Sequence, residues 1–304
     1  MDTRSLRQVI AIRQYGSFAK AADALGVSQP ALTKSVARLE DELKLKLFDR
    51  TAKGSALTPI GELIAGRADA VIAETRDLAR DAALLAGGET GTVRIGCTTA
   101  LKMQLLQPLV QRVVERHPGL RVHAEVAASA RLLPLLEARE LDVVITGQNP
   151  PDAYVIQSIL QTPAVFVASP SHPLAKERDI SIARLAEFKC GGSQSPGSSN
   201  ARLLGHESEN LGTYTASHYE LLLPLVLSGD MALLAPSFVV QPYLEAGEMV
   251  ILDVQWRYEA NYYFVTTRAA SFSPIVSEIR EHARAIGDEL RDDWRGVAGQ
   301  FTEG

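Results

Sequence analysis

The 304-residue chain holds only two cysteines, Cys97 and Cys190, far apart in sequence. That excludes a disulfide framework, and no CxxC or Cys/His cluster is spaced as zinc ligands are. No apolar run approaches the roughly eighteen residues a membrane helix needs, so no membrane partner is expected. The opening MDTRSLRQVI lacks the basic-then-apolar layout of a signal peptide, which points to a cytoplasmic location. Catalytic signatures are missing too: no GxSxG, no GxGxxG after a strand, no P-loop. Nothing points to an oriented nucleophile, so neither an enzyme nor a metal or cofactor is expected.

What is present is length and asymmetry. The chain is about twice the size of a typical domain, so two or three domains are expected. Hydrophobic residues make up 46% of it, enough for packed cores. The formal charge of -5 argues against a nucleic-acid binder until it is divided along the chain. Residues 1–60 carry ten Lys/Arg against six Asp/Glu, a net +4, and the remainder carries -9. A basic head on an acidic body fits a protein whose head alone meets phosphate.

Three helical stretches can be read in the head. The first, roughly residues 4–14, sets Leu6, Val9, Ile10 and Arg13 on successive turns and stops at Gly16. Ser17 stands where an N-cap belongs, ahead of the Ala-rich run from Phe18 to Leu25, which Gly26 ends. Ser28 is a second N-cap, and Gln29 and Pro30 open the next helix, Pro being tolerated in a first turn. There Leu32, Val36, Leu39 and Leu43 form one apolar stripe. The other face presents Gln29, Thr33, Lys34, Ala37 and Arg38. Gln can pair with an adenine edge, Thr can contact a methyl or phosphate, and Lys can neutralise phosphate. Helix, short turn and a helix with such a face is the helix-turn-helix layout, although three amphipathic helices also make a plain bundle. Beyond it, Leu45, Leu47 and Phe48 read as a strand, Asp49 to Ala56 as a loop with Arg50 and Lys53, and Leu57 as the start of a returning strand. That is a small wing, able to reach the DNA backbone or minor groove.

The stretch from Gly16 to Glu62 resembles the N-terminal winged helix of the LysR-type transcriptional regulators. The match runs through Gly16-Ser17-Phe18, Ala21-Ala22, Val27-Ser28-Gln29-Pro30-Ala31-Leu32, Leu39-Glu40, Leu47-Phe48 with Arg50, and Leu57-Thr58 with Gly61-Glu62. It implies double-stranded DNA as partner. The expected contacts are Ser28, Gln29, Pro30, Ala31, Thr33, Lys34, Arg38 and Lys53, with Arg50 either a contact or a brace of the wing. One position departs: where the family has Leu-Gly this chain has Leu43-Lys44, so an altered helix-to-wing turn is expected.

Thr58-Pro59 reads as an N-cap and first turn, and no proline interrupts before Gly87-Gly88. Ile64, Val71, Leu78 and Leu85 recur every seven residues, with Ala68, Thr75 and Ala82 between them. That is an a/d seam with small d residues, suited to pairing two helices at close approach, or else one long helix packed on its own domain. Two recognition helices on one duplex require a dimer. The resemblance likewise implies a homodimer through this helix and further assembly into a homotetramer, with RNA polymerase as a further partner.

The remainder alternates strands and helices. Strands are expected at Thr92–Cys97, Arg121–Val126 and Asp142–Gly147, with helices at Leu101–Arg116 and Arg131–Arg139, a parallel arrangement. After Pro163 come the strand Ala164–Ser169, a helix near Ile182–Ala186, a Gly/Ser loop from Gly192 to Ser199 and a helix from about Ser198. The strand Gly212–Ala216, the helix Tyr219–Leu227, the strands Met231–Ala235, Met249–Leu252 and Tyr262–Thr267, and a closing helix from Pro274 to Leu290 follow. Two α/β lobes joined by crossovers near Thr162 and Thr267 would enclose a cleft. Ligands in such sheets sit beyond the carboxyl ends of strands. There stand Thr98, Thr99, Ser129, Thr146 and Gln148, and opposite them Ser193, Gln194 and Ser195. Lys102 could pair with an anion or be solvated. His218 and His206 could face the cleft, though a lone His is more often structural. Hydroxyls and free N–H groups favour a carboxylate-like or sulfonate-like effector, although each of these residues alone reads equally as an ordinary cap or turn.

The body also resembles the LysR-type effector domain through residues 88–95 (GETGTVRI), Leu141-Asp142 with Val143-Val144-Ile145, and Ser171-His172-Pro173-Leu174-Ala175. The expected fold is therefore α/β: a winged helix-turn-helix over 1–58, a linker helix over 59–90, and a two-lobed, periplasmic-binding-protein-like effector domain over 91–304. Lobe 1 takes residues 91–162 and 267–304, lobe 2 residues 163–266. The expected function is transcription regulation under a small-molecule effector; a cytoplasmic solute-binding sensor without a DNA role is the alternative. Cys97 and Cys190 both fall near the cleft, where a redox switch is conceivable but has no resolving partner nearby.

Overall fold

The computed structural model describes residues 1–51, 54–85, 91–193 and 214–302. Residues 1–86 form one compact unit, and residues 87–137 with 141–304 a second.

The first unit runs α1 (Thr3–Tyr15), α2 (Phe18–Leu25), α3 (Gln29–Leu43), the hairpin β1 (Phe48–Thr51) and β2 (Gly54–Leu57), then α4 (Pro59–Leu85). Asp2 and Ser5 form a capping box that starts α1. Leu6, Val9 and Ile12 are its buried apolar face, whereas Ile10 and Arg13 are only half-buried and Arg13 pairs with Asp69 of α4. Ser17 occupies the N-cap of α2 without using its hydroxyl, while Ser28 does cap α3, accepting from the Ala31 N–H at 3.4 Å. Two apolar clusters meet at Phe48. Ile12, Ala21, Ala22, Leu32 and Val36 form one; Val9, Leu39, Leu47 and Ala65 form the other. Phe48 also sets its ring edge-on to Phe18 at 5.3 Å.

The turn after α3 closes as a left-handed cap without a glycine. Lys44 itself takes the left-handed conformation, φ 56°, and its N–H closes on the Glu40 carbonyl. A side chain in that region costs about 1 kcal/mol or more, which Gly16 and Gly26 avoid at the ends of α1 and α2. Leu45 belongs to this cap, its N–H also reaching the Glu40 carbonyl, so it is exposed and the strand begins only at Phe48. Leu57 pairs with Phe48 and closes β2 instead of starting it.

Glu40 is the polar centre of the head. Its buried carboxylate accepts from the backbone N–H of Leu47 at 2.7 Å and of Phe48 at 3.2 Å, and from Lys46 Nζ at 2.9 Å. Burial alone would raise its pKa; the bonds from Lys46, Leu47 and Phe48 outweigh that and hold it below the ordinary 4.5. Thr58 completes the junction, accepting from the Gly61 N–H and donating to the Lys46 carbonyl. Gly61 lies so close to the Leu47 carbonyl that a Cβ would sit 2.1 Å from it. Along α4 the expected seam divides. Ala68 is buried and Ile64 is packed into the head core, whereas Val71, Thr75, Leu78 and Ala82 are exposed.

The second unit runs β3 (Gly91–Cys97), α5 (Gln107–Arg116), β4 (Leu120–Val126), α6 (Ser129–Glu137), β5 (Val143–Thr146), β6 (Val155–Ala168), α7 (Ile182–Leu185), β7 (Cys190–Ser193), β8 (Tyr214–Ala216), α8 (Leu223–Leu227), β9 (Ala232–Pro236), α9 (Ser237–Glu245), β10 (Val250–Ile251), β11 (Tyr258–Thr266) and α10 (Pro274–Thr302). Among the described residues the sheet order is β4-β3-β5-β11-β6-β9-β7-β8, with β10 also on β6. Lobe 1 is built on parallel β3, β4 and β5, lobe 2 on parallel β7, β8 and β9. Antiparallel β6 and β11 run between them, Thr162 opposite Ala260.

Several expectations change here. The helix expected from Leu101 opens as a 3-10 turn, Thr99–Leu101, and a wide π turn, Lys102–Leu106, before α5. Pro108 lacks the N–H that a regular turn would use, and the wide turn relieves the crowding of its ring. The helix expected over Tyr219–Leu227 likewise splits, with Pro224 in the first turn of α8. Gly192 and Ser193, expected at the start of a loop, end a buried strand, Cys190–Ser193. β6 extends well upstream of Ala164, and α9, with buried Phe238, Val239 and Val240, was not expected. α10 continues beyond Leu290, packed so tightly that a Cβ on Gly287 would lie 2.0 Å from the Ile159 carbonyl.

Two measurements test the head. Glu40→Ala strands the buried Leu47 N–H and the half-buried Phe48 N–H and should destabilise it by about 1–3 kcal/mol in denaturant unfolding. Because the folded pKa is depressed, the carboxylate's contribution is present above about pH 4.5 and lost as pH falls through the folded value. The stability difference from the parent should therefore shrink in acid; a constant difference would contradict the brace. Lys44→Gly should stabilise by roughly 0.5–1 kcal/mol, since it removes left-handed strain.

Candidate nucleic-acid interface and effector cleft

Burial of Leu32, Val36 and Leu39 turns the opposite side of α3 outward. Ser28, Gln29, Pro30, Ala31, Thr33, Lys34, Ala37 and Arg38 are all exposed on one surface. Thr33 donates its hydroxyl to the Gln29 carbonyl at 2.9 Å, which leaves its methyl as the group available to a base. Arg50 lies in β1 opposite Ser55. Its side chain, and Lys53 altogether, lie outside the described residues.

In the second unit the carboxyl ends of β3 and β5 converge. Thr98 follows β3, its N–H on the Ile145 carbonyl at 2.9 Å. Its hydroxyl is buried with no partner among the described residues. Ser129, at the start of α6, bonds Thr146 hydroxyl to hydroxyl at 2.6 Å, and the Gln148 N–H donates to the same Thr146 oxygen at 3.0 Å. Thr99 is half-buried in the 3-10 turn. Lys102 does not stand free: its Nζ lies 3.2 Å from Glu220 of lobe 2.

Of the lobe-2 residues, Ser193 ends β7 and hydrogen-bonds the Tyr219 hydroxyl. His218 is half-buried and bonds Ser217 Oγ through Nδ1 at 2.9 Å. Gln194, Ser195 and His206, with the rest of the loop to Ser199, lie outside the described residues. Two residues that sequence reasoning missed stand behind this rim. Tyr219 and Tyr262 are buried near one another, and burial drives both phenols well above their ordinary range. Gly147 packs against the Tyr262 ring, where a Cβ would be 2.9 Å away. Isolated tyrosines carry no pattern that would have marked them.

Both thiols are buried and free. Burial pushes Cys97 far up and Cys190 to about 12, so neither is a thiolate at neutral pH. No helix among the described residues is long and apolar enough to cross a membrane.

A winged helix-turn-helix on one unit, with a two-lobed α/β body on the other, defines a class of ligand-responsive transcription regulators. The comparisons agree. The family model described as bacterial regulatory helix-turn-helix protein, lysR family, matches residues 3–62, and that of the LysR substrate binding domain matches residues 86–287. The chain belongs to the LysR-type transcriptional regulators. It is 29% identical to the RuBisCO operon transcriptional regulator of Allochromatium vinosum, over 92% of this chain and 95% of that one. It is 30% identical to an SDS degradation transcriptional activation protein of a Pseudomonas strain, over 92% and 94%. Two solved structures share the fold. ArgP from Mycobacterium tuberculosis aligns with a TM-score of 0.68 at 17% identity, covering 94% of this chain and 97% of its own. LysG from Corynebacterium glutamicum, with bound effector Arg, aligns with a TM-score of 0.67 at 19% identity, covering 95% and 99%.

Proposed function

We propose that this regulator binds specific DNA through the Ser28–Arg38 face of α3 and is switched by a small anionic effector held between its lobes. The observation that carries the effector reading is the rim around Lys102. One cation, bridged to Glu220 of the opposite lobe, stands on the turn that follows Thr98, whose buried hydroxyl has no partner among the described residues. Ser129, Thr146 and Gln148 supply further polar groups at the neighbouring strand end. A carboxylate or sulfonate entering there would take over Lys102 and replace Glu220, exchanging an interlobe ion pair for ligand contacts. That exchange gives the two lobes a reason to change their relation on binding.

On the DNA side, Gln29, Thr33 and Lys34 meet base edges and phosphate, with Ser28, Pro30, Ala31 and Arg38 flanking them. Lys53 and Arg50 reach the backbone from the wing. The exposed stripe Val71, Thr75, Leu78 and Ala82 on α4 supports a homodimer that presents two recognition helices, and a homotetramer and contact with RNA polymerase extend that reading. The domain limits that follow are 1–58, 59–90 and 91–304.

The DNA half is tested by binding isotherms at several salt concentrations. Gln29→Ala should lose about 1–3 kcal/mol of discrimination between operator and random duplex. Its unfolding transition should stay within roughly 0.5 kcal/mol, as expected of an exposed residue. Lys34→Ala should weaken both duplexes alike and reduce the salt slope by about one. Unfolding by either change would show a core position instead. The effector half is tested by thermal shift with a panel of small organic acids. Lys102→Met or Ser129→Leu should abolish the response and spare DNA binding, whereas Glu220→Gln should strengthen it by freeing Lys102. An unaltered response in all three would place the effector elsewhere.

A further inference from the structure

A cavity apart from the interlobe rim lies beside β6, β11 and α10, at a gap in the pairing of β6. β6 pairs with β11 as far as Ala164 opposite Tyr258, and with β10 from Val167 opposite Ile251. Leu252 still donates its N–H to the Phe166 carbonyl at 2.8 Å, and the chain from Asp253 to Arg257 then leaves the sheet in two tight turns, Val254 N–H to the Leu252 carbonyl and Trp256 N–H to the Val254 carbonyl. It docks on Ile180 instead, which donates to the Asp253 carbonyl at 2.7 Å and accepts from the Gln255 N–H at 2.8 Å. The detour leaves a cavity of about 790 Å³, within the range of small-molecule sites.

Its walls are of two kinds. Trp256 stacks on Tyr258 at 5.8 Å and meets Phe166 edge-on at 5.6 Å, while Trp294 of α10 adds a fourth aromatic side chain. Lys176, Arg178 and Arg257 line it with no ion pair to any described residue. Of the three acids beside them, Glu177 is paired with Arg184 through Nε at 3.1 Å and Nη2 at 2.7 Å, and Asp253 accepts from the Asp179 N–H, so three cations face the carboxylates of Asp253 and Glu259. Cationic character therefore prevails around an aromatic box.

We infer that this cavity is a second ligand site, separate from the interlobe cleft, that takes an aromatic carboxylate or sulfonate: the ring lies against Trp256 and the anion is held by Arg178 and Arg257. The site stands whether or not the effector reading of the cleft holds. Pro163, Ala164, Tyr258 and Glu259 of its wall belong to the strands that run between the lobes, so a ligand here acts on the crossing itself.

The chain has two tryptophans, Trp256 and Trp294, and both line this cavity. Intrinsic tryptophan emission is therefore a reporter of this site. The full-length protein is titrated with phenylbutyrate and, in parallel, with uncharged phenylbutanol. Saturable change in emission with phenylbutyrate is expected, about tenfold weaker with phenylbutanol and about tenfold weaker in Arg178→Ala/Arg257→Ala. Ser129→Leu, which blocks the cleft, should leave the titration unchanged. No saturation into the millimolar range, equal affinity for acid and alcohol, or loss in Ser129→Leu with retention in the arginine variant would each overturn the proposal. The first two outcomes leave the effector reading of the cleft untouched, whereas the third would place the anion in the cleft instead.

Discussion

The antiparallel ladder between β6 and β11 is the constraint on which the larger unit depends. Nine residue pairs, from Tyr258 opposite Ala164 to Thr266 opposite Val155, tie the strands together along the passage from one lobe to the other. The register shifts between Tyr262 and Tyr263, where a bulge adds twist. β5 joins β11 on one side and β9 joins β6 on the other, so each lobe hangs from its own strand of the pair. Anything that alters the ladder alters both lobes. The interlobe rim, with Tyr262 behind it, and the aromatic cavity, with Tyr258 in its wall, both abut it.

In the head the same part is played by a single carboxylate. Apolar packing places α3, but it is indifferent to the direction in which the chain leaves the helix. Glu40 fixes that direction by taking two consecutive N–H groups of the strand that follows. A charged group with several donors is costly to bury and costly to disturb once satisfied. The exposed face of α3 thus rests on a junction that tolerates little change.

Some motifs turn out to be structural. His172, within the stretch that resembles the effector domain, accepts the Leu174 N–H through Nδ1 and lies against Phe188, and its burial depresses its pKa. It caps a short turn over Pro173–Lys176 and holds the edge of lobe 2. Gly229, with φ 86°, turns the chain into the strand after α8.

Local chemistry was enough to read the head. The leucine spacing of α3, the Ser28 cap and the glycine stops are properties of one helix and its ends, and so they are visible in a linear string. The parallel strands of lobe 1 were legible for the same reason, each being a short apolar run between helices. What the string could not show was set by partners distant along it. Lys44 keeps the turn because the whole junction holds it in a left-handed conformation, and Lys102 is neutralised by Glu220, more than a hundred residues away. The tyrosines behind the rim and the cavity at Trp256 exist only where strands far apart in sequence are brought side by side. Periodicity records which face of an element is buried; which groups meet across the fold depends on the pairing of elements, and that is a property of the folded chain alone.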